Sequence, residues 1–217
     1  MKTNYLLMSL ILITLISACK KDTETTPSFS STSGSNDFGQ LKVGNYWVYQ
    51  VYTIDTLGNA TPTSDFDSCY ISKDTIINGN TYYKMHRPGV AVIHPITYLR
   101  DSSTFIVNHH GNIMFSSSDF SNLFTVRYSI YPPNDTIYKT FERMTDKNLS
   151  ISTSAGTFNT YNFQVTYEIW PSWEVYLSII NLNTRYAKGV GIITETMTMF
   201  ITSSQYKERR LVRYHVN

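Results

Sequence analysis

The stretch TYNFQVTYEI, Thr160 to Ile169, places Tyr161, Phe163, Val165, Tyr167 and Ile169 at every second position. Asn162, Gln164, Thr166 and Glu168 fill the gaps between them. Successive side chains of a strand point to opposite faces, so this alternation predicts a β-strand with one buried and one wet face. A helix would need apolar residues every three or four positions, and no long run of that kind occurs elsewhere in the chain.

Working outward, NYWVYQVYTI at 45–54 is apolar on alternate and intervening positions alike, which predicts a strand covered on both faces. Asn78-Gly79, followed by Asn80 and Tyr82-Tyr83, predicts a hairpin, because Asn-Gly tolerates the positive φ angles of tight turns. His110-Gly111-Asn112 and Ser154-Ala155-Gly156 predict two more. A short helical turn is expected around Ser118 to Phe124. Short strands and tight turns throughout give an all-β domain: an antiparallel curved sheet, a sandwich or a partly open barrel.

The N-terminus has another character. One basic residue, Lys2, precedes an apolar run from Tyr5 to Ile16, too short to span a bilayer with comfort, and small Ser17 and Ala18 follow. This order predicts a secretory signal helix over 1–18. From Lys20 to Asp37, nine of eighteen residues are Ser or Thr, so 19–37 should be a flexible linker unable to bury a core. The remainder, 38–217, is about 180 residues, enough for a single all-β domain.

Ile16-Ser17-Ala18-Cys19 resembles the lipobox of bacterial lipoproteins. The resemblance implies that Cys19 becomes the first mature residue and is acylated, with palmitate-type chains holding the protein to the outer membrane. Lys20-Lys21-Asp22-Thr23-Glu24 resembles the charged export tags of Bacteroidetes surface lipoproteins, which implies the cell surface rather than the periplasmic face. LKVGNYWVYQ at 41–50, INGNTYYKM at 77–85, SAGTFNTYNF at 154–163 and YAKGVGIITE at 186–195 together resemble uncharacterised Bacteroidetes lipoproteins. That resemblance implies an all-β fold, with a strongly curved sheet of the lipoprotein-carrier type as one relative, and no assigned activity. Asp55-Thr56-Leu57, Asp74-Thr75-Ile76 and Asp135-Thr136-Ile137 resemble the O-glycosylation tripeptides of secreted proteins from the same group.

Charge excludes one class of partner. Without Lys2 the chain carries 17 basic and 16 acidic side chains, a balance that argues against nucleic acid. The basic cluster Lys207, Arg209, Arg210 and Arg213 is diluted by Glu208. With Cys19 acylated, Cys69 has no disulfide partner and reads as a small buried residue.

Catalytic signals are weak. Gly189-Val190-Gly191 lacks the following helix that phosphate binding requires, so the glycines predict a bulge or close backbone approach. His86, His94, His109, His110 and His215 show no zinc spacing; His109 and His110 would face opposite ways in a strand, and they read as turn-flanking surface residues. No metal or other cofactor is expected, and no catalytic residue is assigned. Glu195 interrupts an apolar face between Ile193 and Met197. It must be paired, Arg209 or Arg213 being the candidates, or else line a pocket and contact a ligand. Trp170 and Trp173 form an aromatic loop between Glu168 and Glu174 that could stack on sugar rings. The expected function is therefore a non-enzymatic binding module for a protein, glycan or surface polymer. A carrier of a lipid or other hydrophobic ligand is the first alternative, and a polysaccharide-acting hydrolase the second.

Overall fold

The computed structural model describes residues 37–87, 96–133, 135–173, 181–197 and 205–217. The signal segment, Cys19, nearly all of the linker, His94 and Glu174 lie outside the described residues. The described residues belong to one compact unit, Ser33–Asn217.

Twelve strands make up this unit: β1 (Tyr46–Ile54), β2 (Ala60–Ile77), β3 (Asn80–His86), β4 (Ile96–Ser102), β5 (Phe105–Asn108) and β6 (Ile113–Ser116) in the first half. The second half holds β7 (Thr125–Tyr131), β8 (Asp135–Thr153), β9 (Gly156–Ile169), β10 (Leu182–Ala187), β11 (Gly191–Met197) and β12 (Tyr206–His215). They form one antiparallel sheet in the order β6-β5-β4-β3-β2-β1-β12-β11-β10-β9-β8-β7. Each half is a meander, and the pairing of β1 with β12 joins the two at the centre.

Of the forms expected, the protein adopts the curved sheet nearly closed into a barrel, not a sandwich. Right-handed twist accumulates across many strands and brings the far edge around. Phe115 of β6 meets Tyr161 of β9 at 6.4 Å between ring centroids, and the Ser116 amide donates to Met144 Sδ of β8 at 3.3 Å. Phe38, just before β1, fills the gap at 4.8 Å from both Phe115 and Tyr161. With Trp47, Ile71, Leu99, Met144, Phe163 and Leu211, these residues form the apolar core inside the curl.

TYNFQVTYEI forms β9 as expected, but its polar face is not wet throughout. Phe163 is buried in the core, and on the opposite face Thr160 and Asn162 are fully buried too. Asn162 and Gln164 both donate to Asn183 of β10. β1 departs from expectation, because only Trp47, Tyr49, Val51 and Ile54 are fully buried. Its other face is the barrel exterior, where Tyr46 stacks on His215 in partial contact with solvent.

Residues 118–124 form no helix. Ser116 Oγ accepts the amides of Ser118 and Asp119, and Asp119 Oδ1 accepts those of Ser121 and Asn122. Short polar side chains here capture the amides that a helix would need. His109 and His110 lie at the turn, as expected: β5 ends at Asn108, both follow it, and their rings sit 3.8 Å apart.

The turn glycines serve as expected. Gly79, Gly111 and Gly156 have positive φ. Gly191 (φ +104°) does more, since a Cβ there would lie 3.0 Å from Trp47 Nε1. The glycine lets the indole press against the β11 backbone and donate to Val190 O at 2.6 Å.

Candidate functional site

Two places concentrate polar or aromatic chemistry. The first is inside the barrel, above the apolar core. β11 and β12 are in register at Glu195 and Arg209, which therefore stand directly opposite each other on the inner face. Arg209 Nη2 donates to Glu195 Oε2, and Arg87 Nη2 donates to Glu195 Oε1. Arg87 follows β3, which is separated from β11 by three strands in the sheet, so this contact crosses the barrel interior. Arg209 Nη1 also donates to Asp67 Oδ2 at 2.6 Å and to Cys69 Sγ at 3.3 Å. Its guanidinium lies over the Tyr49 ring, 4.6 Å from the centroid.

The cluster of two guanidiniums and two carboxylates is neutral, and Arg209 is only 2 % exposed. Burial alone would push the Glu195 carboxyl up, but Arg209 and Arg87 outweigh it and hold the group down at about 2. Burial pushes the Cys69 thiol up, with Arg209 opposing, so Cys69 remains a thiol at neutral pH. The Tyr49 hydroxyl is likewise pushed up by burial and donates to Ile192 O at 3.0 Å.

A narrow cleft runs from this cluster down to Gly39 and Leu41, walled by Trp47, Met85, Leu99 and Tyr186 among others. The space open to the centre of a water molecule is about 40 Å³, enough for a few waters. Arg87 lines the upper end, and among the described residues its Nε has no hydrogen-bond partner, as is also true of Asp67 Oδ1.

The second place is the end of the sheet where the start of β8 meets the turn after β9. Trp173 N donates to Trp170 O at 2.8 Å, closing a turn after β9. Trp173 Nε1 donates to Asp135 Oδ2 at 3.0 Å, and its ring lies 6.0 Å from that of Tyr131. Trp170 is 44 % exposed and Tyr131 58 % exposed. One indole is held while a second indole and a phenol face solvent beside it.

Trp170 and Trp173 therefore share one surface, and Glu195 does not belong to it. Glu195 is level with Phe163 through Thr184, and Trp170 is seven residues further along, about 20 Å at ~3.3 Å per residue. Glu168 meets Lys139 at 3.4 Å. Among the described residues, no three His, Cys, Asp or Glu side chains converge as a metal site would need. The C-terminal basic cluster divides by strand alternation. Lys207 faces Asp65 at 3.8 Å, Arg209 enters the interior, and Arg210 turns to Glu208 at 2.7 Å. Thr56 of the first glycosylation-like tripeptide is exposed in a turn that Asp55 closes by accepting the amides of Leu57 and Asn59.

Arg87 and Asp67 were not legible as partners of the cluster. Asp67 sits among alternating polar residues in β2, and Arg87 lies beyond the end of β3 with no periodic signal.

No protein-family model matches the chain, and no curated protein matches it. Among solved structures, the chain is similar to a Bacteroides fragilis NCTC 9343 protein assigned as exported, with a YMCC-like fold. The match has a TM-score of 0.44 and 10 % identity over 82 % of this chain and 98 % of that one. It is also similar to a Parabacteroides distasonis ATCC 8503 protein assigned as a lipoprotein, with TM-score 0.40 and 13 % identity over the same shares of the two chains.

Proposed function

We propose that the protein is a non-enzymatic binding module of the bacterial cell envelope, anchored to the outer membrane by lipid on Cys19 and displayed at the cell surface. The observation that carries the binding role is the Tyr131, Trp170 and Trp173 cluster. Large aromatics left in solvent beside a ring fixed by Asp135 suit stacking against a flat, partly apolar partner. A sugar ring offers such a face together with hydroxyls for Asp135 and the neighbouring backbone, so glycan is the favoured ligand class. Retention on immobilised surface polysaccharide, compared with Trp170→Ala and Trp173→Ala, tests this. Equal retention of wild type and both variants would refute it.

The carrier reading has support of its own in the cleft beneath Arg87, where a cationic end and an apolar wall could meet an acid with a short tail. The room present is far below what an acyl chain occupies, so that reading requires the curl to open. Glu195 is committed to two guanidiniums and has a structural part in either reading.

A further inference from the structure

β7 is one edge of the sheet, and among the described strands nothing pairs with its free side. Natural sheets guard such edges with charges, bulges, proline or very short strands. The opposite edge follows that rule. β6 has only four residues, Phe115 and Ser116 are fully buried, and the Ser116 amide is spent on Met144. β7 follows it only in part, with one charge and with Pro132-Pro133 directly after the strand.

β7 has seven residues and one charge, Arg127, which is half in solvent and paired with Glu142 of β8 at 2.5 Å. The irregularity in the β7–β8 ladder leaves the additional residue, Ile137, on β8, so β7 alternates without a break. Val126, Tyr128 and Ile130 share its outer side at 43 %, 57 % and 57 % exposure. This is an open strand with an apolar stripe and a neutralised charge.

We propose that β7 is a self-association edge, through which a second copy of this chain adds its own β7 antiparallel about a two-fold axis. The occupant is a second copy because the strand is complementary to itself. With Tyr128 on the axis, Val126 faces Ile130 of the second copy and Arg127 faces Ser129, so apolar meets apolar and no like charges stand directly opposite. Charge balance agrees: each Arg127 already carries its Glu142, and joining two such edges brings no net charge to the axis. The contact would turn two twelve-stranded sheets into one continuous sheet, with Tyr131 of each aromatic cluster at its end, facing Thr125 of the second copy.

Sedimentation velocity of residues 33–217 over a wide concentration range tests the proposal. The expected result is conversion from the monomer mass to twice that mass. Tyr128→Lys sets two ammonium groups on the axis and should abolish the dimer with unchanged thermal melting, while Ile76→Lys, more exposed but remote on β2, should retain it. As an independent check, Tyr128→Cys should give a disulfide-linked dimer on mild oxidation, because residues facing each other across antiparallel strands lie within bridging distance. Val126→Cys should give far less. A monomer at every concentration, or a dimer that survives Tyr128→Lys, would overturn the proposal, as would equal crosslinking of the two thiol variants.

Discussion

The indole of Trp47 rests on Gly191 so closely that a methyl group on the glycine would lie 3.0 Å from Nε1. The same indole donates to Val190 O at 2.6 Å. β1 and β11 are not neighbours in the sheet, so this contact ties the centre of the sheet to the turn between β10 and β11. Gly191→Ala should therefore lower stability by about 2–3 kcal/mol, from the clash and from strain at positive φ. Urea unfolding followed by tryptophan fluorescence will measure it. An unchanged midpoint would show that Trp47 can withdraw without loss.

Arg209 balances two carboxylates in the interior, and its removal leaves Asp67 with no cationic partner. Arg209→Met should destabilise by about 3–5 kcal/mol, since breaking a buried pair leaves an uncompensated charge. Arg210→Met, one residue on and facing outward to Glu208, should change stability by less than about 1 kcal/mol. Chemical denaturation of both variants makes the comparison, and similar losses would contradict the assigned facing.

Acid should undo the same cluster. The Glu195 carboxyl is held near about 2 in the folded protein, below the usual carboxylate value in an unfolded chain. A depressed acid group stabilises fully above the unfolded value and loses that contribution as pH falls through the folded one. The stabilisation, about 3 kcal/mol, should thus be present above pH ~5 and decline toward pH ~2. Thermal melting across that window should show a shallower slope in Glu195→Gln than in wild type. Parallel curves would assign the acid sensitivity to other groups.

At the aromatic end, stability and binding should separate. Trp170 is half in solvent, so Trp170→Ala should leave the melting temperature within a degree or two while removing retention on glycan. Trp173→Phe keeps a ring but loses the donor to Asp135, and should weaken retention without abolishing it. Circular dichroism beside the retention assay distinguishes lost binding from lost fold.

The anchor is tested at Cys19. Cys19→Ser should shift the protein from the membrane to the soluble fraction and abolish incorporation of labelled palmitate. Membrane association unchanged by the substitution would remove the lipid from the proposal.

Much of the fold could be read locally. The strand over 160–169, the Asn78-Gly79 turn and the glycines at 189 and 191 each depend on backbone geometry that a few residues specify, and each appears where it was expected. Glu195 was also legible as a residue in need of a cation, because a carboxylate on an apolar strand face is costly unless paired. The reading went astray where neighbours in space decide the outcome. NYWVYQVYTI has apolar residues on both sides, but only the curl of the sheet determines which side faces the core.

Side-chain period, permitted φ angles and the penalty on a buried charge are local, and they were enough to specify an all-β domain, its tight turns and the need of Glu195 for a partner. The pairing of β1 with β12, the reach of Arg87 across the barrel to Glu195 and the open edge at β7 emerge from packing alone. Those features arise from twist summed over twelve strands and from registers between residues far apart in the chain, and no local pattern encodes either.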